Sequence, residues 1–275
     1  MRLFIASLLA LSLLSCKKKN TTSTDDSPAP TTTTPTPTTA PVGSDVTVNV
    51  TNMAGSSVLF ISKDTVYKAS TPKYISAYGD TFSVTKLKYY ISNIKFHKPD
   101  GSFFAEKESY HLLNAADSAK TCKFIVKDVP FETYTYMSFV IGVDSTRNVS
   151  GAQTGDLEPG KDMFWSWSQG YIFFKFEAYT PSVPNFGGHN IEYHVGGFKG
   201  NANNIKNVTL NFPSNNLVVD KAGGSKIFMK ANVLECLKTP TVLSFAALPT
   251  AINASSAKPV ANNYVDMFSV SAITR

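Results

Sequence analysis

Residues 44–275 are predicted to form an all-β fold, an antiparallel β-sandwich in a single domain with few short helices, on three observations. Tyr, Phe, Val, Thr and Ile, which suit a pleated half-buried surface, are frequent. Asn, Gly, Pro and Ser interrupt the chain at short intervals, as turns require. No segment carries the apolar spacing of a long amphipathic helix, so parallel sheets built on helical crossovers are not expected.

Before that domain the chain opens with Met-Arg-Leu-Phe-Ile-Ala-Ser-Leu-Leu-Ala-Leu-Ser-Leu-Leu-Ser-Cys, one positive charge and then an apolar run too short for a permanent membrane span. Residues 1–15 read as a signal peptide. Leu13-Leu14-Ser15-Cys16 resembles the bacterial lipobox, with an aliphatic residue three before the cysteine and a small one just before it. Cys16 is therefore expected to be lipidated, anchoring the chain to a membrane of the cell envelope, facing the periplasm or the cell surface. Residues 16–43 contain Lys17-Lys18-Lys19 and then Thr31-Thr32-Thr33-Thr34-Pro35-Thr36-Pro37, with almost nothing apolar to bury. This segment reads as a disordered tether, semi-extended where proline is dense. The lysines stand where anionic headgroups would lie, and equally suit a solvated charge run.

Within the domain, residues of one polarity recur at every second position: Val46 and Val48; Phe82 and Val84; Leu87, Tyr89 and Ile91; Phe124 and Val126; Met137, Phe139, Ile141 and Val143; Val208, Leu210 and Phe212; Ile227, Met229, Ala231 and Val233. Each set has the two-residue repeat of a strand. Asp100-Gly101 suits a hairpin connection, and residues 231–239 and 242–248 have room for a turn or two of helix. Cys122 and Cys236 remain beyond the anchor, in a compartment that permits disulfides. A bridge and two unpaired, half-buried thiols serving as small apolar residues are both open.

Charge and motifs narrow the function. The chain carries +6, of which Arg2, Lys17, Lys18 and Lys19 against Asp25 and Asp26 belong to the first 43 residues. The remaining +4 is too mild to imply nucleic acid. There is no Gly-x-Ser-x-Gly elbow, phosphate-binding glycine loop, His-Glu-x-x-His helix or distinctive carboxylate pair, so the protein is not expected to be an enzyme.

The unusual segment is 162–194, which holds both tryptophans and two of the four histidines. An extended backbone puts Met163, Trp165 and Trp167 on one face and Phe164, Ser166 and Ser168 on the other. Further on, Glu192 and His194 share the face opposite Ile191, Tyr193 and Val195. Neutral imidazole from His194, and from His189 nearby in sequence, with the Met163 thioether, is a soft-to-borderline donor set that favours copper, particularly Cu(I), over Mg or Ca. Two histidines alone would not finish such a site. Asp144, Asn148, Asp156 and Asp162 form a weaker oxygen set for a hard cation, without EF-hand spacing.

The order and spacing of several blocks also carry a family resemblance. These are Leu87-Lys88-Tyr89-Tyr90-Ile91-Ser92-Asn93-Ile94, Pro99-Asp100-Gly101-Ser102, Tyr110-His111-Leu112-Leu113, Ile141-Gly142-Val143-Asp144, Asn148, Gly155-Asp156-Leu157, Met163-Phe164-Trp165-Ser166-Trp167, Gly170-Tyr171 and His194-Val195-Gly196-Gly197. Together they resemble the MbnP-like copper-binding domain family over roughly residues 45–270. The resemblance implies a periplasmic or surface-exposed β-sandwich. It also implies a copper site in which a tryptophan is oxidised to kynurenine by a dihaem partner protein. Indole nitrogen offers no lone pair to a metal, whereas the aryl amine of kynurenine does. Carried onto the matching block, Trp165 or Trp167 is the residue modified and His194 the ligand; His189 has no support from the family pattern. The competing expectation is a metal-free sandwich module that displays Trp165 and Trp167 to a glycan or a partner protein.

Overall fold

The structure is a computed structural model, and it describes residues 42–275 except 65, 67, 118–121, 152, 167, 184–189 and 214. The signal segment, Cys16 and the tether lie outside the described residues. Among the described residues no helix is long and apolar enough to cross a membrane.

In chain order the main strands are β1 (Gly43–Ala54), β2 (Thr81–His97), β3 (Tyr110–Asn114), β4 (Cys122–Pro130), β5 (Tyr136–Ile141), β6 (Phe164–Ser166), β7 (Gly170–Tyr179), β8 (Asn190–Gly196), β9 (Lys206–Asn211), β10 (Lys226–Asn232) and β11 (Phe268–Thr274). One sheet runs β11-β10-β1-β4 and also takes in Ser57–Val58 at the end of β1. The larger runs β9-β5-β2-β7-β8, ends on Thr250–Ala251, and carries β3 against β2 and β6 against β7. The fold is all-β with few short helices. Among the described residues pairing is antiparallel with two exceptions: β1 lies parallel to β10, Val48 opposite Ile227, and β8 lies parallel to Thr250–Ala251. The first exception brings the first strand beside one that follows it by more than 170 residues; the other sheet is threaded between them, so no helical crossover is needed.

The two inner faces share one core. Val46, Val48 and Val50 from β1 and Ile227, Met229 and Ala231 from β10 meet Phe82, Val84, Leu87 and Tyr89 from β2 and Phe174 and Phe176 from β7. A polar bridge crosses it: the buried Tyr89 hydroxyl donates to Asn52 Oδ1 at 2.8 Å, and Asn52 Nδ2 in turn faces Cys122 Sγ at 3.5 Å. Pairing satisfies these groups where water cannot reach. Cys122 and Cys236 are both buried and both free. Burial pushes both thiols above their usual range, which makes them poor nucleophiles.

β2 is one strand of 17 residues rather than several. Its inward set reads Phe82 and Val84, then Leu87, Tyr89 and Ile91, then Ile94 and Phe96, with the phase slipping by one residue at each step. The slips coincide with register shifts opposite Glu177 and Ala178, and between Ser92 and Lys95 where Asn93 takes φ 52°. Each extra residue bends the strand and returns apolar side chains to the core. Of the two expected helical stretches, Val233–Leu237 forms a 3-10 turn and 242–248 only a turn. A short helix at Lys258–Asn263, followed by a 3-10 turn at Tyr264–Met267, was not signalled by any long apolar periodicity.

Between β5 and β7 the chain leaves the sheet and crosses its outer face. Its first helical turn, Ser145–Asn148, is capped by Asp144, which accepts from the Thr146 and Arg147 N–H groups at 3.1 Å. Under this excursion lies a second apolar cluster of Tyr90, Val143, Leu157, Met163, Tyr171, Ile172, Phe173 and Phe198. Tyr90 and Phe173 alternate with the inward Tyr89 and Phe174, which places this cluster on the sheet's outer side.

Candidate functional site

Beyond that cluster the outer face of β2, β7 and β8 is polar, and its side chains stand in rungs set by strand register. Lys88, Lys175 and His194 lie directly across from one another; the next rung is Lys86, Glu177 and Glu192. Alternation requires this. Phe174, Phe176, Ile191, Tyr193 and Val195 face the core, so the residues between them face outward.

Asp162, at the end of the excursion and in the left-handed conformation with φ 63°, sits over the lysines. Lys175 Nζ donates to both its carboxylate and its carbonyl at 2.7 Å, and Lys86 and Lys88 approach the second carboxylate oxygen at 3.4 and 3.5 Å. Partial burial opposes charge on Asp162, but the hydrogen bond and attraction from Lys175, with the other lysines behind, outweigh it and hold the carboxyl at about 2. A carboxyl depressed in the folded state stabilises the fold above its unfolded pKa, near 3.8, and loses that contribution as pH falls toward 2. The side chain is 53% exposed, so solvent screens the effect and its size is modest. In urea titrations between pH 5 and pH 2, Asp162→Asn is expected to flatten the acid loss of stability relative to wild type; parallel curves would rule this out.

Glu177 links the rungs. His194 Nε2 lies 2.9 Å from Glu177 Oε1, and Lys86 Nζ lies 3.3 Å from Oε2. Burial opposes ionisation of Glu177, yet the His194 hydrogen bond and Lys86 outweigh it and lower its pKa below the usual carboxylate range. Among the described residues His194 Nδ1 has no partner. The other described histidines are occupied elsewhere: His97 stacks on Tyr136 and meets Ser138, and His111 stacks on Phe124 and meets Glu106.

Trp165, on β6, is half-buried at the edge of the second cluster. Its six-membered ring lies on Gly196: a Cβ there would fall 2.6 Å from Trp165 Cζ3 and 2.6 Å from the Tyr171 carbonyl oxygen. Gly196 shares the outward face of β8 with His194, so the indole rests two residues from the imidazole on one side of the strand. Gly196→Ala should push the indole away, seen as red-shifted tryptophan emission and stronger acrylamide quenching; unchanged emission would mean the ring is not seated there. Trp165 also lines a cleft of about 160 Å³ with Ser168, Gln169, Phe198, Lys199 and Asn253.

Met163 is buried in the second cluster at 1% exposure, and its carbonyl accepts from the Ile172 N–H at 2.9 Å. Surrounded by aromatic and aliphatic side chains, its thioether packs the space beneath the excursion. Trp167 and His189 lie outside the described residues. The oxygen set is committed to protein donors: Asp144 to the helix cap and the Tyr110 hydroxyl, Asn148 Oδ1 to the Tyr171 N–H, Asp156 to the Leu112 N–H and Lys161, Asp162 to the lysines. No group of three His, Cys, Asp or Glu that could hold a metal occurs among the described residues. Glu177 escaped the sequence reading because nothing local distinguishes it; its only signal is a charge alternating with Phe174 and Phe176.

These features bear on what the chain is similar to. No curated protein sequence matches it. Among solved structures it is similar to MbnP from Methylosinus trichosporium, at 15% identity and TM-score 0.53, covering 83% of this chain and 98% of that one, which shows a shared fold. The family model for MbnP matches residues 43–254, most of the chain and the whole of the ladder, the excursion and the Trp165 cleft, and the chain therefore belongs to the MbnP family.

Proposed function

We propose that the protein is a lipid-anchored cell-envelope protein that binds copper at the outer face of β8, with His194 as a ligand and Trp165, once oxidised to kynurenine, as a second donor. The observation that carries this reading is the seat of Trp165 on Gly196, beside His194 on one face. The residues fit a soft-to-borderline ion at His194, whose imidazole is anchored through one nitrogen and unpartnered at the other among the described residues. Unmodified Trp165 adds no lone pair. Oxidation cleaves the indole C2–C3 bond with two oxygen atoms supplied by an external oxidant activated on a haem partner. Hydrolysis then releases the formyl carbon as formate and frees the aryl amine. When bound, copper would supply a redox-active or transportable centre; the protein's own residues orient His194 through Glu177 and seat Trp165 on Gly196.

The test is peptide mass spectrometry and copper quantification on the mature protein from its native host, alongside His194→Ala. Near-stoichiometric copper, a kynurenine-containing Trp165 peptide and loss of copper in the variant are expected. Unmodified tryptophan with no copper taken up when it is supplied would overturn the proposal. A metal-free module would then lead, on one observation: the cleft beside Trp165 combines an aromatic wall with the amides of Gln169 and Asn253, groups suited to a sugar or a peptide.

A further inference from the structure

We infer that Glu177, braced by Lys86, is a positioning residue that fixes the His194 proton on Nε2 and leaves the Nδ1 lone pair as the donor nitrogen. The relevance to a metal rests on the proposed role of His194 as a ligand; the tautomer itself does not.

Register supplies the first support. Glu177 and His194 are diagonal neighbours across the β7–β8 pair, because Lys175 stands opposite His194 and Glu177 opposite Glu192. Diagonal neighbours on one face come within reach of long side chains, and here Nε2 and Oε1 meet at 2.9 Å. The chemistry of the pair supplies the second. An ionised carboxylate only accepts hydrogen bonds, so the atom facing it must carry a proton. Neutral imidazole has one N–H, and with that proton on Nε2 the other nitrogen is bare. The third support is the brace: Lys86 Nζ lies 3.3 Å from Oε2, the oxygen His194 does not use, and 3.4 Å from Asp162. Each Glu177 oxygen thus has a cationic or N–H partner, and its orientation is set by two strands and the excursion together.

A carboxylate behind a ligating histidine fixes the ring's tautomer and orientation, and its loss typically weakens metal binding by ~10–100-fold. A purely structural ion pair would leave both the tautomer and the affinity unchanged on removal.

The experiment is nitrogen-15 NMR of the histidine side chains in the metal-free mature protein, held well above the ordinary imidazole pKa of about 6.5, paired with competitive Cu(I) titration. Wild type is expected to show His194 as the Nε2–H tautomer. Glu177→Ala should give a tautomer mixture and Cu(I) binding ~10–100-fold weaker. Glu177→Gln has a single amide oxygen, which the Lys86 ammonium claims, so its NH2 faces the imidazole. That should make Nε2 an acceptor and move the proton to Nδ1, a reversal that a variant merely disturbing the fold would not give. A proton on Nδ1 in wild type, or an unchanged tautomer in Glu177→Ala, overturns the inference. Absence of Cu(I) binding in wild type would remove the metal reading, while the tautomer result decides the role of Glu177 by itself.

Discussion

Replacing Phe176 by Ala is expected to destabilise the protein by about 3–5 kcal/mol, the usual cost of emptying a buried aromatic site. The ring is fully buried in the inter-sheet core, with centroids 6.1 Å from Phe82, 5.9 Å from Tyr193 and 6.5 Å from Phe174. These neighbours come from three strands of one sheet, so no single side-chain movement refills the space. Urea denaturation should show a lower midpoint with an unchanged slope, since the surface exposed on unfolding barely differs. The substitution also has a positional consequence. Phe176 lies between Lys175 and Glu177, whose outward placement depends on its inward one, so His194 should lose part of its protection as the strand loosens. A midpoint within experimental error of wild type would mean that Phe176 is not a core residue.

The second large effect is expected at Asn148, where Ala should cost about 2–4 kcal/mol, because two buried backbone groups left unpaired cost ~1–3 kcal/mol each. Asn148 is 3% exposed. Its Nδ2 donates to the Val143 carbonyl at 2.6 Å and the Asp144 carbonyl at 2.9 Å, and its Oδ1 accepts from the Tyr171 N–H at 2.8 Å. It thus ties the start of the excursion to the first residues of β7, closing the loop that carries Met163 and Trp165. Next to it Gly170 takes φ 77°, and a Cβ there would fall 2.1 Å from Asn148 Oδ1. The two positions depend on each other: the glycine leaves room for the amide, and the amide pairs the backbone that the glycine turns. Asn148→Asp should be at least as harmful, since it replaces two donors aimed at carbonyls by an acceptor. Equilibrium unfolding of both variants, with tryptophan emission as the probe, tests this; full retention of stability in Asn148→Ala would show that the excursion is held by its apolar cluster alone.

These two residues differ in how far the sequence exposed them. Phe176 stands in Tyr171-Ile172-Phe173-Phe174-Lys175-Phe176, a stretch that does not by itself say which aromatics face the core and which face the second cluster. Asn148 appeared in the sequence only within the weak oxygen set and the family blocks, since a side chain that pairs a backbone group 23 residues away leaves no local pattern. The same contrast holds at the site. His194 was legible on the polar side of an alternating strand, and the tryptophan block was legible as an unusual cluster. The burial of Met163, the seat of Trp165 on Gly196 and the pairing of His194 with Glu177 were not.

By itself, the sequence determined the class of fold and the inward face of most strands, because alternation is a local consequence of a two-residue repeat and apolar side chains leave water wherever they can. It also placed His194 outward and singled out the Trp165 segment. Tertiary structure alone decided that β1 lies parallel to β10, that three apolar segments are one bent strand, and that Glu177 rather than Glu192 meets the imidazole. A period-two pattern states which way a side chain points and carries no information about which strand lies beside it. Bulges re-phase the pattern, register sets the diagonal neighbour, and both follow from how two whole sheets close over a shared core.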